Sequence, residues 1–136
     1  MFVTPYSVRF ADVDNAGIFY YPRFFHAFHV AMEQWWESVG RPYHVVITED
    51  RIGFPAVHIE SDFKKPVTFG DPVDIHVGIA RLGTTSVTIR YKFVDRVTGT
   101  THCQTDVVTA CVNMDTFRPV EPPPHLRELL ETILIK

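Results

Sequence analysis

The strongest constraint on the fold is an alternation of apolar and polar residues that recurs along the chain. In segments 73–79 and 87–93 the odd-numbered positions are apolar and most even-numbered ones are polar, a pattern typical of half-buried β-strands. Further strands are predicted at about 6–10, 57–67 and 102–114, and Gly- and Pro-containing turns separate the later ones. Strands joined by such short turns must be antiparallel, because a parallel neighbour needs a crossover of about a dozen residues. The pattern therefore predicts an antiparallel meander.

A long amphipathic helix is predicted from Pro22 to about Val39, with proline in its first turn and Gly40 just past its end. Its apolar residues are spaced by three and four positions and form one broad face, while polar residues occupy the opposite side. A short second helix is predicted at about 125–134, after three consecutive prolines. The apolar positions of the long helix are Phe24, Phe25, Phe28, Ala31, Met32, Trp35, Trp36 and Val39.

These elements predict an α+β protein in which one long helix covers one face of an antiparallel sheet of about five strands. Residues 107–114 are apolar at both even and odd positions, so the second face of that strand also needs a cover. We expect another copy of the chain to provide it, as a homodimer or homotetramer. The helix is expected to cover a row of apolar residues formed either by Val57, Ile59 and Phe63 or by Ile75 and Ile79.

Length and composition indicate one domain over residues 1–136, since 46% of the residues are hydrophobic and 21% are charged. A net charge of −3 argues against binding to nucleic acid, which draws its affinity from Lys and Arg. Neither a leader pattern nor an apolar run of about 20 residues is present, so a cytoplasmic protein without membrane contact is expected. Cys103 and Cys111 fall on one predicted strand, roughly 26 Å apart, and are expected to be free thiols.

The chemistry is indicated by the loop at 12–22, because the sequence has no Gly-rich nucleotide loop, no nucleophile elbow and no His-Glu-x-x-His motif. Two carboxylates, a glycine and several aromatic residues lead directly into the helix start. A helix N-terminus offers unpaired N–H groups and partial positive charge, which stabilise negative charge developing on an oxygen. Pro22 has no N–H, so the donor would be the amide of Tyr21, Arg23 or Phe24.

An aspartate near such a donor can act as general base or nucleophile towards a carbonyl carbon, which predicts an acyl-transfer site. Asp14 is the candidate, although aspartates before helices are also common turn formers and caps. It lies eight residues before Pro22, beyond the reach of an ordinary cap. Asp12 is predicted to be a turn residue instead.

Other side chains on the long helix are candidates for catalysis or for metal binding. His26, His29 and Glu33 have spacings that suit a metal, but the two histidines diverge by about 60° around the helix, so no metal site is predicted. Glu33 is an alternative catalytic acid, but its place on the polar face predicts contact with solvent.

Residues 10–25, Phe-Ala-Asp-Val-Asp-Asn-Ala-Gly-Ile-Phe-Tyr-Tyr-Pro-Arg-Phe-Phe, resemble the signature of the 4-hydroxybenzoyl-CoA thioesterase family, which has the hotdog fold. A weaker similarity extends over nearly the whole chain and includes Pro-Val-Thr-Phe-Gly-Asp at 66–71. The resemblance implies that Asp14 is the catalytic carboxylate and that the Tyr21 amide polarises the thioester carbonyl. It also implies an active site between two subunits, and hydrolysis of an acyl-CoA to a carboxylic acid and free CoA without a metal or organic cofactor.

The sequence departs from that family at two places. His29 stands where the family's helix aspartate meets the phenolic hydroxyl of the substrate, and the helical wheel places it on the buried side, as a substrate contact or a core residue. The turn at 82–86 lacks the family's basic residues for the CoA phosphates, so Arg81 and Arg90 are the nearest cations, either as CoA contacts or as solvated surface. The other candidate substrate-binding residues are Gly17, Tyr20, Phe25 and His58, and the aromatic ones favour an aryl acyl group.

Two other functions remain open from the sequence. A dehydratase of the same fold would act on a 3-hydroxyacyl group, but its hydratase motif is not seen. A non-catalytic acyl-CoA binding protein would use the same pocket without turnover.

Overall fold

The computed structural model describes all 136 residues and consists of three helices and seven strands. Both predicted helices are present, within a few residues of the predicted bounds. The helices are α1 (Tyr21–Ser38), α2 (Tyr43–Thr48) and α3 (Pro124–Glu131); the strands are β1 (Phe2–Ser7), β2 (Ile52–Gly53), β3 (Ala56–Phe63), β4 (Pro72–Leu82), β5 (Ser86–Asp95), β6 (Thr101–Ala110) and β7 (Val112–Asn113).

Five strands form one antiparallel sheet in the order β1-β4-β5-β6-β3, which confirms the predicted α+β hotdog architecture of one long helix against such a sheet. The predicted meander holds for β4, β5 and β6. It is wrong for β3, which pairs with β6 at the far edge and not with β4. Residues 64–71 allow this arrangement, because an extended connection of this length can pass β5 and β6 at a strand spacing of about 4.8 Å.

Several strand ends differ from the prediction because local hydrogen bonds turn the chain. The first strand ends at Ser7, and a short 3₁₀ turn follows at Phe10–Asp12. Strand β3 ends at Phe63 because the amides of Lys64 and Lys65 both donate to the carbonyl of His102, at 2.8 and 3.0 Å. Helix α2 was not predicted, since its six residues are too few to show a helical period.

Helix α1 packs on one face of the sheet and forms with it a single cluster of 24 buried hydrophobic residues. Six of the eight predicted apolar helix positions are buried, and Phe25 and Val39 are partly buried. From the sheet, the cluster takes the row that includes Ile75 and Ile79, which confirms that alternative for the helix-facing row.

The other alternative, the row on β3, is wrong for the single chain. Val57, Ile59 and Phe63 are 65%, 45% and 52% exposed, because β3 is an edge strand and the backbone of α1 lies closest to β4 and β1, towards the opposite edge of the sheet. The two cysteines are buried free thiols, as predicted. No helix in the chain combines the length and the apolar character needed to span a membrane.

Candidate active site

Asp12 anchors the loop that precedes α1. Its side chain is 0% exposed and accepts hydrogen bonds from the Tyr6 hydroxyl at 2.7 Å and the Arg9 amide at 2.8 Å. The Arg23 guanidinium, on the first turn of α1, donates to it from Nε and Nη2 at 3.0 and 2.9 Å. Burial alone would raise the pKa of Asp12, but these donors outweigh it and hold the pKa below its usual value.

The backbone of Asp12 reinforces this anchor, because its carbonyl accepts from the amide of Tyr20 at 2.7 Å. One buried residue thereby joins β1, the loop and the helix start. Asp12 has a structural role, in line with its prediction as a turn residue, and its two side-chain oxygens are fully engaged within the chain.

Asp14 lies only two residues further on but is exposed. Its Oδ1 accepts from the amides of Ala16 at 2.9 Å and Ile18 at 3.2 Å. The turn closes through the Gly17 amide, which donates to the Asp14 carbonyl at 2.9 Å, and it needs a glycine because the φ angle of Gly17 is +74°. Oδ2 makes no hydrogen bond within the chain. A tight turn thus holds the carboxylate at the surface with one oxygen available.

The start of α1 offers an unpaired donor. Tyr21 is the first helical residue, and Tyr20 before it makes no capping hydrogen bond with its side chain. The Tyr21 amide has no acceptor among the hydrogen bonds of the chain, and Pro22 follows it with no N–H to offer. This amide carries the positive end of an 18-residue helix and can donate to an anionic oxygen from outside the chain.

Asp14 and Tyr21 face two different hollows of the single chain. Asp14 and Gly17 line an open depression beside the exposed rings of Phe10 and Phe69. Tyr21 lines a cleft of about 210 Å³ whose wall also contains Lys65. Residues of one loop therefore reach both hollows, and Tyr20, which is exposed, stands beside Tyr21 at the helix start.

An apolar groove of about 440 Å³, larger than the Tyr21 cleft, runs along α1 towards α2. An adjoining hollow of about 150 Å³ contains both Phe25 and His29, so the structure brings these two predicted substrate contacts together. Residues that line the groove include His29, Met32, Tyr43, Phe54, Tyr91 and Phe117.

The prediction that His29 lies on the buried side of α1 is wrong, since its side chain is 56% exposed. Trp36, which has a similar direction on the helix, is buried against both Tyr43 and Phe54. Of these two rings only Tyr43 packs against His29, edge-on with centroids 6.4 Å apart, which leaves much of the imidazole exposed. His29 instead lies at the rim of the groove, with its Nε2 atom 3.7 Å from the carboxylate of Glu33.

The remaining candidates lie away from these hollows. His58 is on the exposed edge strand, 3.6 Å from Glu60. Arg90 donates two hydrogen bonds to Asp106 at 2.8 and 2.9 Å, so its charge is already paired, whereas Arg81 is exposed and has no carboxylate partner. No group of three or more His, Cys, Asp or Glu side chains is placed to hold a metal ion.

Two residues were not predicted from the sequence, Lys65 in the cleft and Tyr91 in the groove. A signal for Tyr91 was present, because it occupies an odd, inward-facing position of the strand predicted at 87–93. For Lys65 there was none, since a lysine next to a predicted strand end is ordinary surface composition.

A family model described as the Thioesterase-like superfamily matches residues 8–130. The chain belongs to this superfamily. Its similarity to solved structures covers almost the whole chain. A thioesterase superfamily structure from Jannaschia sp. is 30% identical and superposes with a TM-score of 0.90, covering 99% of this chain and 94% of that one.

Two further structures carry more specific names. A 1,4-dihydroxy-2-naphthoyl-CoA thioesterase from Synechocystis, 21% identical, shares the fold with a TM-score of 0.86 over 95% of this chain and 94% of its own. A gentisyl-coenzyme A thioesterase is 27% identical with a TM-score of 0.80, over 92% of this chain and 98% of its own.

Sequence relatives carry names of the same kind. A 1,4-dihydroxy-2-naphthoyl-CoA hydrolase from Crocosphaera subtropica is 30% identical over 86 residues, 63% of this chain and 63% of that protein. Another from Nostoc punctiforme is 27% identical over 128 residues, 93% of this chain and 84% of that protein. The match spans less than two thirds of the length of several such relatives. Relatives of the chain are thus named as thioester-hydrolysing enzymes, and the finer prediction of the 4-hydroxybenzoyl-CoA branch stays a prediction.

Proposed function

We propose that the protein hydrolyses an acyl-CoA thioester to a carboxylic acid and free CoA. The observation that carries this proposal is the pairing, on one short loop, of a surface carboxylate with a free oxygen and an unpaired amide at the start of α1. The family of the chain and the names of its relatives support the same reaction. Among acyl groups, a hydroxylated aryl group is favoured by the relatives' names and by the aromatic lining of the groove.

In the proposed reaction, the Tyr21 amide donates to the carbonyl oxygen of the thioester and stabilises the negative charge that develops there. Asp14 acts in one of two ways. It attacks the carbonyl carbon and expels CoA as a thiolate, leaving an anhydride that water hydrolyses, or it removes a proton from a water molecule that attacks the same carbon. Water is the only co-reactant in either route, and Asp12 serves to position the loop.

We further propose that the active site is completed between two copies of the chain, in a homodimer or homotetramer. Two observations support this assembly. Strand β3 is the edge of the sheet and presents apolar side chains to solvent, which is a surface that pairs with another chain. Asp14 and Tyr21 line separate hollows of one chain, so a partner subunit would be needed to enclose a substrate between them.

The assembly is tested by light scattering during gel filtration of the wild type and of Ile59→Lys, which places a charge among the exposed residues of β3. We expect a dimer or tetramer for the wild type and a shift towards monomer, with lower thioesterase activity, for the variant. A wild type that is monomeric and fully active at assay concentration would contradict a site shared between subunits.

The catalytic assignment is tested with Asp14→Asn, which keeps an oxygen that can accept from the Ala16 and Ile18 amides but removes the charge. We expect the rate of thiol release from aryl-CoA and medium-chain acyl-CoA substrates to fall by about 10²- to 10⁴-fold. The matched control is Asp95→Asn, because Asp95 Oδ1 accepts from the amides of Val97 and Thr98 at 2.8 and 2.9 Å in a comparable turn, and Asp95 itself lines none of the hollows.

Near-normal turnover by a folded Asp14→Asn protein, or an equal loss in Asp95→Asn, would refute the role of Asp14. The same assay separates the alternatives. A dehydratase would convert a 3-hydroxyacyl-CoA without releasing thiol, and a non-catalytic binding protein would bind acyl-CoA and release no thiol from any of the substrates.

A further inference from the structure

Tyr91 lines both the apolar groove and its adjoining hollow. It is on the central strand β5 and only 4% exposed. Its ring stacks on that of Phe28, with centroids 5.0 Å apart and ring planes at 13°. The packing of the ring therefore fixes the direction of the hydroxyl, because a tyrosine side chain has only two rotatable bonds before the ring is oriented.

The Tyr91 hydroxyl makes no hydrogen bond within the chain, although nearly all of the side chain is buried. The hydroxyl oxygen itself is not sealed from the groove, because the only fully buried polar side-chain atom without a partner is Nε2 of His102. It can therefore take a hydrogen-bond partner from a molecule bound in the groove. Thr109, which lines the same groove, is not available as a donor, because its hydroxyl proton already goes to the Val87 carbonyl at 2.7 Å.

The surroundings keep this phenol neutral and available. Burial raises the pKa of Tyr91 well above its usual value, so the hydroxyl keeps its proton at physiological pH and can both donate and accept. Most of the groove wall is apolar, which is the usual construction of a small-molecule site, where a few polar groups orient an otherwise apolar ligand.

We infer that Tyr91 determines specificity by forming a hydrogen bond with a hydroxyl group on an aromatic acyl group bound in the groove. Tyr43, Phe54 and Tyr91 provide aromatic surface for a flat ring. Phe28, on which Tyr91 stacks, lies about 10 Å along the helix from Tyr21, at about 1.5 Å per residue, so Tyr91 would meet a hydroxyl on the ring of the acyl group and not the thioester carbonyl. The inference rests on the proposed function, and it adds the residue that would distinguish hydroxylated from unsubstituted rings.

The test compares Tyr91→Phe with the wild type on two substrates, 1,4-dihydroxy-2-naphthoyl-CoA and unsubstituted 2-naphthoyl-CoA. Each kcat/KM is measured by thiol release. The ratio of the hydroxylated to the unsubstituted substrate is expected to fall about 5- to 10-fold in Tyr91→Phe, the effect of one neutral hydrogen bond, with little change for the unsubstituted substrate. The matched control is Tyr43→Phe, which removes a second phenol from the same groove and should leave the ratio within about 2-fold.

Every outcome bears on the inference. An unchanged ratio in Tyr91→Phe, with the wild type active on both substrates, overturns the inference and leaves the proposed function standing. An equal or larger change of the ratio in Tyr43→Phe assigns the role to Tyr43 and also overturns it. A wild type that releases no thiol from any acyl-CoA refutes the proposed function itself. The free acids of both substrates, tested as binding ligands for wild type and variant, provide the same comparison without turnover.

Discussion

Two aspartates separated by a single residue show how differently one loop can treat the same side chain. Asp12 is completely buried and accepts hydrogen bonds from Tyr6, Arg9 and Arg23. Asp14 is exposed, and only the backbone of its own turn donates to it. The first carboxylate has no capacity left for a substrate, whereas the second keeps one oxygen free.

This difference supports the proposal that one aspartate of the loop stabilises the fold and the other takes part in the reaction. A carboxylate that takes part in catalysis must be able to change its partners during the reaction, which Asp12 cannot do without releasing the helix start. Asp14 can do so at small cost, because its turn is closed mainly by backbone hydrogen bonds. The comparison predicts that mutation of Asp14 lowers activity and spares stability, whereas mutation of Asp12 lowers stability and changes activity much less.

The largest expected effect is that of Asp14→Asn on turnover, a loss of about 10²- to 10⁴-fold. Its free energy of unfolding is expected to stay within about 0.5 kcal/mol of the wild type, the usual range for an exposed site. A large loss of stability in Asp14→Asn, in addition to the loss of activity, would contradict this contrast, since Asp14 would then be structural as well.

Asp12→Asn is expected to lower stability more than activity. The substitution leaves the Arg23 guanidinium without its anionic partner and weakens the hydrogen bonds to Tyr6 and the Arg9 amide, so we expect the free energy of unfolding to fall by about 2 kcal/mol. Turnover by the molecules that remain folded should change much less than in Asp14→Asn. Urea denaturation measures the free energy of unfolding of both variants, and assays at urea concentrations below the unfolding transition measure their activity.

The pH dependence of stability provides a second measurement of the role of Asp12. Its pKa is lowered in the folded protein, so its contribution is complete above the unfolded pKa of about 4 and is lost as the pH falls through the folded value. The stability difference between wild type and Asp12→Asn should therefore be constant near neutral pH and shrink below about pH 4. A gap that persists unchanged in acid would show that packing, and not charge, makes Asp12 important.

Much of the fold was predictable because α1 and the strands follow regular periods of apolar residues. The position of β3 was not, since the same alternation is compatible with pairing to β4 or to β6, and only the three-dimensional course of residues 64–71 decides. For the same reason the alternation leaves two rows that could lie beneath the helix, and the row with Val57 and Phe63 is exposed at the sheet edge.

Features of the site that depend on adjacent residues were predictable from the sequence. Features that depend on the three-dimensional surroundings of a residue were not. The Tyr21 amide is unpaired because the first N–H groups of a helix have no acceptor within it, and Pro22 marks the helix start in the sequence. The burial of Asp12 depends on Tyr6 and Arg23, which approach it only in the folded chain. The exposure of His29 depends on how much of α1 is covered by the segment that follows it. The groove around Tyr91 is likewise assembled from segments far apart in sequence.

The smallest effect is expected from Gly17→Ala, which strains the Asp14 turn without removing any side chain. Gly17 and Gly99 have φ angles of +74° and +76°, and an added Cβ would meet no atom within 4 Å at either position. Each alanine variant should therefore lose only about 1 kcal/mol of stability, the cost of left-handed backbone for an L-residue. Only Gly17→Ala should also slow thiol release, by a few fold, because only that turn positions Asp14. Equal activity in the two variants would mean that the exact placement of the Asp14 carboxylate is unimportant, and it would weaken the contrast with the rigidly held Asp12.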